Sequence, residues 1–182
     1  MFKCISLQRY FNNRGVTTEQ EFKQGELSLA FSSFPQKYIP FNRSFTHSDI
    51  PFMFSKNNHR DNVEMCGQTI DLGEMYNINK IHFLGTSNNG DFSEDVHLYE
   101  DTSHVISKPL GFTDFIEPQP KFNEDVAIQA PYLHTRHGIK NIYFPIIWYN
   151  SINFNKSARA NKLMFEDNPS IHIFCITIEV TI

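Results

Sequence analysis

The last third of the chain holds two long apolar runs, Asn141-Ile142-Tyr143-Phe144-Pro145-Ile146-Ile147-Trp148 and Ile171-His172-Ile173-Phe174-Cys175-Ile176-Thr177-Ile178-Glu179-Val180. In the second run Ile171, Ile173, Cys175, Thr177 and Val180 alternate with His172, Phe174, Ile176 and Ile178, so both faces are largely apolar. A strand of that kind belongs in the middle of a sheet with both sides covered. Elsewhere short segments alternate or run apolar between clusters of Asn, Asp, Gly, Pro and Ser. The pattern predicts strands over 26–31, 52–55, 62–65, 68–71, 80–84, 94–99, 105–109, 140–148, 161–165 and 171–182. That rhythm predicts an all-β fold, an antiparallel β-sandwich with a jelly-roll-like arrangement. A chain that closes on a core strand is expected to be a free-standing sandwich.

Turn chemistry separates the strands. Asn88-Asn89-Gly90-Asp91 supplies the positive φ of a tight turn, and Glu166-Asp167-Asn168-Pro169-Ser170 predicts a hairpin between the last two strands. Gly67-Gln68 predicts another tight turn, with Asp61 or Asn62 binding nearby backbone amides. Helical composition is confined to 17–24, which ends at Gly25. The chain is therefore expected to form a single domain over 1–182, with 1–25 as an N-terminal extension or short helix packed on it. Two Pro-bearing stretches, 34–51 and 112–132, read as long loops. Such loops either bind ligands or pack their Phe residues as a satellite core.

Composition adds limits. The 182 residues contain 40% hydrophobic and 14% aromatic side chains, 18 of them Phe, enough apolar surface to fill one core. A net charge of −4, with 16 basic residues scattered among 20 acidic ones, provides no basic field for nucleic acid. No run of about 18 apolar residues is present, so no membrane span is expected. The cysteines Cys4, Cys66 and Cys175 form no CxxC pair and imply no disulfide framework, and Cys175 reads as a buried free thiol. The absence of an apolar run of signal-peptide length at the N-terminus adds to a reading of the protein as cytoplasmic.

At Asp61-Asn62-Val63-Glu64-Met65-Cys66-Gly67-Gln68-Thr69-Ile70-Asp71-Leu72-Gly73, then at Ile81 to Asp91 and at Ile171 to Glu179, the chain resembles the galactose-binding-like β-sandwich accessory domains of carbohydrate-active enzymes. The resemblance covers roughly residues 50–182 and implies a sandwich that binds sugars without turning them over.

Sugar recognition needs an aromatic face against the ring and planar amide, carboxylate or guanidinium groups for its hydroxyls. Tyr132, His134, Arg136 and His137, with Trp148, Tyr149 and Asn150, contain these types and form the expected ligand-binding set. Trp148 reads alternatively as the core's largest anchor. The expected partner is a carbohydrate or another small polar ligand, with an apolar face open to a homodimer as a further expectation. No cofactor is expected beyond a structural calcium ion at Asp91. The alternative is a small sugar-processing enzyme with His134 or His137 as general base and Arg136 steadying developing charge. No GxSxG, HExxH or Cys/His metal spacing is present.

Overall fold

A computed structural model describes residues 1–181, and they are built almost wholly of strands. In chain order these are β1 (Phe2–Ile5), β2 (Val16–Thr17), β3 (Phe34–Pro35), β4 (Ser44–His47), β5 (Ile50–Met53), β6 (Val63–Cys66) and β7 (Thr69–Ser87). They continue with β8 (Phe92–Glu100), β9 (Ser103–Phe112), β10 (Asp125–Gln129), β11 (Leu133–Thr135), β12 (Gly138–Lys140), β13 (Ile146–Phe165) and β14 (Asp167–Val180). Single turns of 3-10 helix occupy Gln8–Tyr10, Phe22–Gln24 and Gln36–Tyr38. Among the described residues no helix is long and apolar enough to cross a membrane.

The main sheet has the order β1-β14-β7-β13-β8-β9, with β10 on β13 and β6 on β14. Every pairing within it is antiparallel, as the strand pattern predicted. Two long strands, β7 and β13, pair from Trp148↔Gly85 to Met164↔Thr69, with irregularities at Asn153/Ala158 and Ala160/Lys162. Beyond Ile78 the far edge of β7 takes β14, while the end of β13 takes β8 through Lys162–Phe165. Long strands shared this way let β8 and β9 face β14 across one core. Val96, Leu98 and Leu110 accordingly pack in the same cluster as Ile171, Ile173, Ile176 and Ile178.

A bulge in β14 between Ile173 and Cys175 changes which side chains point inward. Before it the odd positions Ile171 and Ile173 enter the first core; after it the even positions Ile176, Ile178 and Val180 do. One extra residue inverts the facing of everything that follows, so strict alternation along 171–180 is broken. Phe174 and Cys175 turn to the other face, where Leu84 and Ile147 join them. There a second core is completed by Val16, Leu27, Phe34, Phe52, Phe54 and Phe115. The two long loops thus pack down as satellite core, and β14 is covered on both sides.

Several expected boundaries shift. The segments 68–71 and 80–84 are parts of the single strand β7, and 161–165 belongs to β13. β13 starts only at Ile146, leaving Ile142 75% exposed. Residues 26–31 are not a strand, because the chain turns there with Phe31 N–H donating to Ser28 O. The 166–170 stretch does not make a hairpin, since β13 and β14 lie on opposite edges of β7. Residues 1–25 supply the edge strand β1, paired with β14 from Phe2↔Glu179 to Ile5↔Ile176, together with β2 and the 3-10 turns Gln8–Tyr10 and Phe22–Gln24. Ile182, the end of the expected last strand, lies outside the described residues. Trp148 is 0% exposed in the first core and anchors it.

Ile178→Ala, emptying a fully buried site, is expected to cost about 3 kcal/mol in urea unfolding, whereas Ile142→Ala should stay within about 0.5 kcal/mol. Equal midpoints for the two variants would contradict the assignment of the core.

Candidate functional site

A buried chain of polar side chains connects the sheet to the N-terminal segment. His172, on β14, is 0% exposed, with Nδ1 3.0 Å from Asn62 Oδ1 and Nε2 2.6 Å from Asn88 Nδ2. The Asn62 amide nitrogen donates to Asp61 Oδ1 (3.0 Å) and to Asn13 Oδ1 (3.1 Å), so its oxygen is the atom facing the imidazole. A carbonyl oxygen only accepts; Nδ1 therefore carries the proton, and Nε2 accepts from Asn88. The ring is held neutral, and burial pushes its pKa down to about 3. Next along, Asp61 accepts the Gly15 N–H on Oδ1 (3.0 Å) and the Val16 N–H on Oδ2 (3.1 Å). Burial pushes this carboxyl up to about 7, against the pull of those donors and of Lys56. In place of the nearby backbone amides expected as partners, Asp61 takes amides about 45 residues away and Asn62 bonds Asn13, Asp61 and His172.

The same chain pins a loop. Asn88 Nδ2 donates to Leu27 O at 2.6 Å, Asn13 Nδ2 to Glu26 O at 2.9 Å, and Glu26 N–H to Arg14 O at 2.8 Å. A Cβ on Gly25 would sit 2.5 Å from Ser32 O, so the loop closes too tightly there for any side chain. Leu27 is buried as its anchor; Leu29 and Phe31 are left 85% and 40% exposed. On one side of the loop lies a cleft of about 510 Å³ lined by Glu26, Leu29, Phe31, Glu64, Asn89 and Ser170 among others. On the other lies a cavity of about 370 Å³ that shares Glu26 and Phe31 and adds Arg14, Lys23, His59 and Arg60.

The hairpin β11–β12 packs beside this segment through reciprocal backbone bonds between Ser33 and His134, 3.0 and 3.1 Å. It brings together four of the sequence-predicted residues. Arg136 lies over the Phe31 ring, Cζ 3.8 Å from the centroid, and His137 is exposed at the same tip. Tyr132 donates to Glu19 Oε1 at 2.7 Å, and Lys37, 3.1 Å from that carboxylate, also sits 5.0 Å from the Tyr132 ring centroid. Of these groups Glu19 and Lys37 line a further cleft of about 460 Å³, with Thr18, Gln20, Pro35 and Gln36. His134 is fully buried: Nδ1 bonds Thr17 Oγ1 at 2.8 Å, Nε2 has no partner among the described residues, and burial lowers its pKa. A ring enclosed in that way does not reach a ligand, which removes His134 from the expected binding set and from the expected role of base.

Three predicted residues lie elsewhere. Trp148 is enclosed in the core, the half-buried Tyr149 sets its hydroxyl 2.9 Å from His82 Nδ1, and Asn150 spends its amide on Gly111 O (2.7 Å) and the Ser151 N–H (2.7 Å). Asp91 accepts the Asp114 N–H at 2.9 Å, and among the described residues no group of three or more His, Cys, Asp or Glu is placed to hold a metal ion. Sequence reasoning missed Phe31, Glu26 and Asn13, whose setting depends on contacts across the chain. It also missed the relay on β8 and β9 in which Ser107 Oγ bridges His97 Nδ1 and His104 Nε2 at 2.7 Å each, with His97 Nε2 2.6 Å from Glu166. That relay stands on an open sheet face, with His104 exposed and the Glu166 side chain 47% exposed.

A family model for the AziU2-like beta-sandwich domain matches residues 3–181. The chain belongs to that family. No curated protein matches it. Membership supports the β-sandwich, and the resemblance to galactose-binding-like accessory domains is supported as far as that sandwich.

Asp61 and His172 set opposing pH dependences in this domain. In the unfolded chain they titrate near about 3.9 and about 6.5. Folded Asp61 holds its proton more tightly, so its stabilisation is complete below about pH 4 and is lost as pH rises through 7. Folded His172 holds its proton less tightly, so its stabilisation is complete above about pH 6.5 and is lost as pH falls towards 3. Between those limits each changes stability by up to about 1.4 kcal/mol per pH unit, with opposite sign. Relative to wild type, Asp61→Asn should become more stable as pH rises from about 4.5 to 6.5 and His172→Gln less stable. Melting curves that shift in the same direction for both variants would contradict this assignment.

Proposed function

We propose that the protein is a non-catalytic binding module for a carbohydrate or another small polyhydroxylated ligand, received in the 510 Å³ cleft over Phe31. The observation that carries the reading is Phe31 itself. The residue has φ +56°, a conformation strained for a bulky side chain, and it is left 40% exposed. Strain and exposure together at one aromatic are the mark of a residue retained for what it meets. Around it the cleft sets the apolar Leu29 and Pro169 beside the carboxylates of Glu26 and Glu64, the Asn89 amide and Ser170. An apolar strip flanked by planar hydrogen-bonding groups suits the two characters of a sugar ring, and the volume falls in the usual range of small-molecule sites.

Arg136 supports the same reading, because a guanidinium stacked on the ring fixes it in place. The galactose-binding-like accessory role belongs to this proposal. So does a cytoplasmic location, with which three free cysteines, Cys66 exposed, are in keeping.

A panel of mono- and disaccharides screened by thermal shift and calorimetry tests the reading on wild type, Phe31→Ala and Glu64→Gln. A saturable ligand whose affinity falls at least about tenfold in Phe31→Ala is expected, the loss of one stacked ring being worth about 1 to 2 kcal/mol. A ligand held equally by all three proteins would remove the site from this cleft, and silence across the panel would remove carbohydrate from the proposal.

A further inference from the structure

The cavity on the opposite side of the 25–31 loop has a different chemistry. Its lining carries three permanent cations, Arg14, Lys23 and Arg60, against one carboxylate, Glu26, with His59 as an additional ring nitrogen. That local excess of positive charge stands on a chain whose net charge is −4. We propose that this cavity is a site for the phosphate group of a small phosphorylated ligand.

The cations are held by three separate parts of the fold. Arg14 is fixed: its side chain is 8% exposed, with Nη2 2.8 Å from Glu21 and Nη1 bonded to Gln24 Oε1. Its Nε remains without a partner among the described residues. Lys23 stands on the 3-10 turn Phe22–Gln24. His59 and Arg60 stand on a tight turn closed by reciprocal Asn57 and Arg60 backbone bonds of 2.9 and 3.0 Å, with Asn58 at φ +55°. Neither Lys23 nor Arg60 has an ion-pair partner among the described residues, whereas other basic side chains such as Arg9 and Arg159 do. Two uncommitted cations therefore border a cavity beside a third that is immobilised.

With Arg14 paired to Glu21, the two uncommitted cations Lys23 and Arg60 stand against the single carboxylate Glu26, and a phosphate group, with three acceptor oxygens where a carboxylate has two, can serve both cations and a further donor at once. Guanidinium forks also fit tetrahedral oxyanions with paired hydrogen bonds. At about 370 Å³ the cavity has room beyond the phosphate, and Phe31 gives the remainder of the ligand an apolar wall.

The inference stands apart from the sugar reading, and its test uses inorganic phosphate. Phosphate is titrated at low ionic strength into the whole protein, read by calorimetry and ³¹P resonance, with acetate as the carboxylate arm. Saturable phosphate binding that exceeds acetate binding is expected, lowered at least about tenfold by combined Lys23→Gln and Arg60→Gln and unchanged by Arg159→Gln. The melting temperature without phosphate should not move, since Lys23 and Arg60 are both exposed, and saccharide binding should persist in the double variant. Phosphate affinity equal in wild type and the double variant, no saturation, or acetate bound as tightly as phosphate would each overturn the proposal. Failure of the saccharide panel would leave this outcome untouched.

Discussion

His172 lies buried on β14 with one asparagine on each ring nitrogen, and through those two amides the sheet holds the segment that shapes both cavities. The geometry leaves little freedom. Asn62 has to point its oxygen at the ring because its nitrogen serves Asp61 and Asn13. Asn88 has to present its nitrogen because the same atom reaches Leu27 O. Removing any one partner strands a buried donor or acceptor, at a cost of about 1 to 3 kcal/mol, so the members act as a unit. Its neutrality depends on burial, and the burial is provided by the loop that it anchors.

The sandwich provides the rigid side of that arrangement. β14 lies between β1 and β7 and is covered by the strand core on one face and by the packed loops on the other. The bulge after Ile173 allows one strand to serve both cores, sending Ile176 and Ile178 inward and Phe174 outward beneath Phe34 and Phe54. Phe174 also touches the ground on which Gly15 sits, since a Cβ at Gly15 would come within 3.1 Å of its ring. Packing and polar pairing thus converge on the same short segment of backbone, residues 13–16.

Much of this architecture was legible because it follows from local periodicity and turn chemistry. The apolar run at 171–180, the positive-φ turn at Asn89 and Gly90 and the Gly67 turn all appear where the residue types demand them. What local pattern does not encode is the partner of each strand. The expected strands 140–148 and 161–165 leave 149–160 between them, yet β13 runs through that stretch, bulging against β7 between Asn153 and Ala158. The Glu166 turn reads as a hairpin because nothing in the two flanking strands announces that β7 will insert between them.

The candidate site was legible in part for the same reason. Hairpin 133–140, which the strand pattern does not predict, brings Arg136 and His137 to the surface beside Tyr132, whereas the burial of His134 and Trp148 is set by distant segments. Phe31 gave no signal, since an exposed, strained phenylalanine looks like any other Phe in a Phe-rich chain. Native-state hydrogen exchange on Asn62→Ala tests the central role of the buried amide chain most directly. The account predicts that protection of the Gly15, Val16, Leu27 and Phe34 amides collapses while the amides of β7, β13 and β14 retain theirs. Unchanged protection across 13–34, or a uniform loss through the whole sheet, would contradict it.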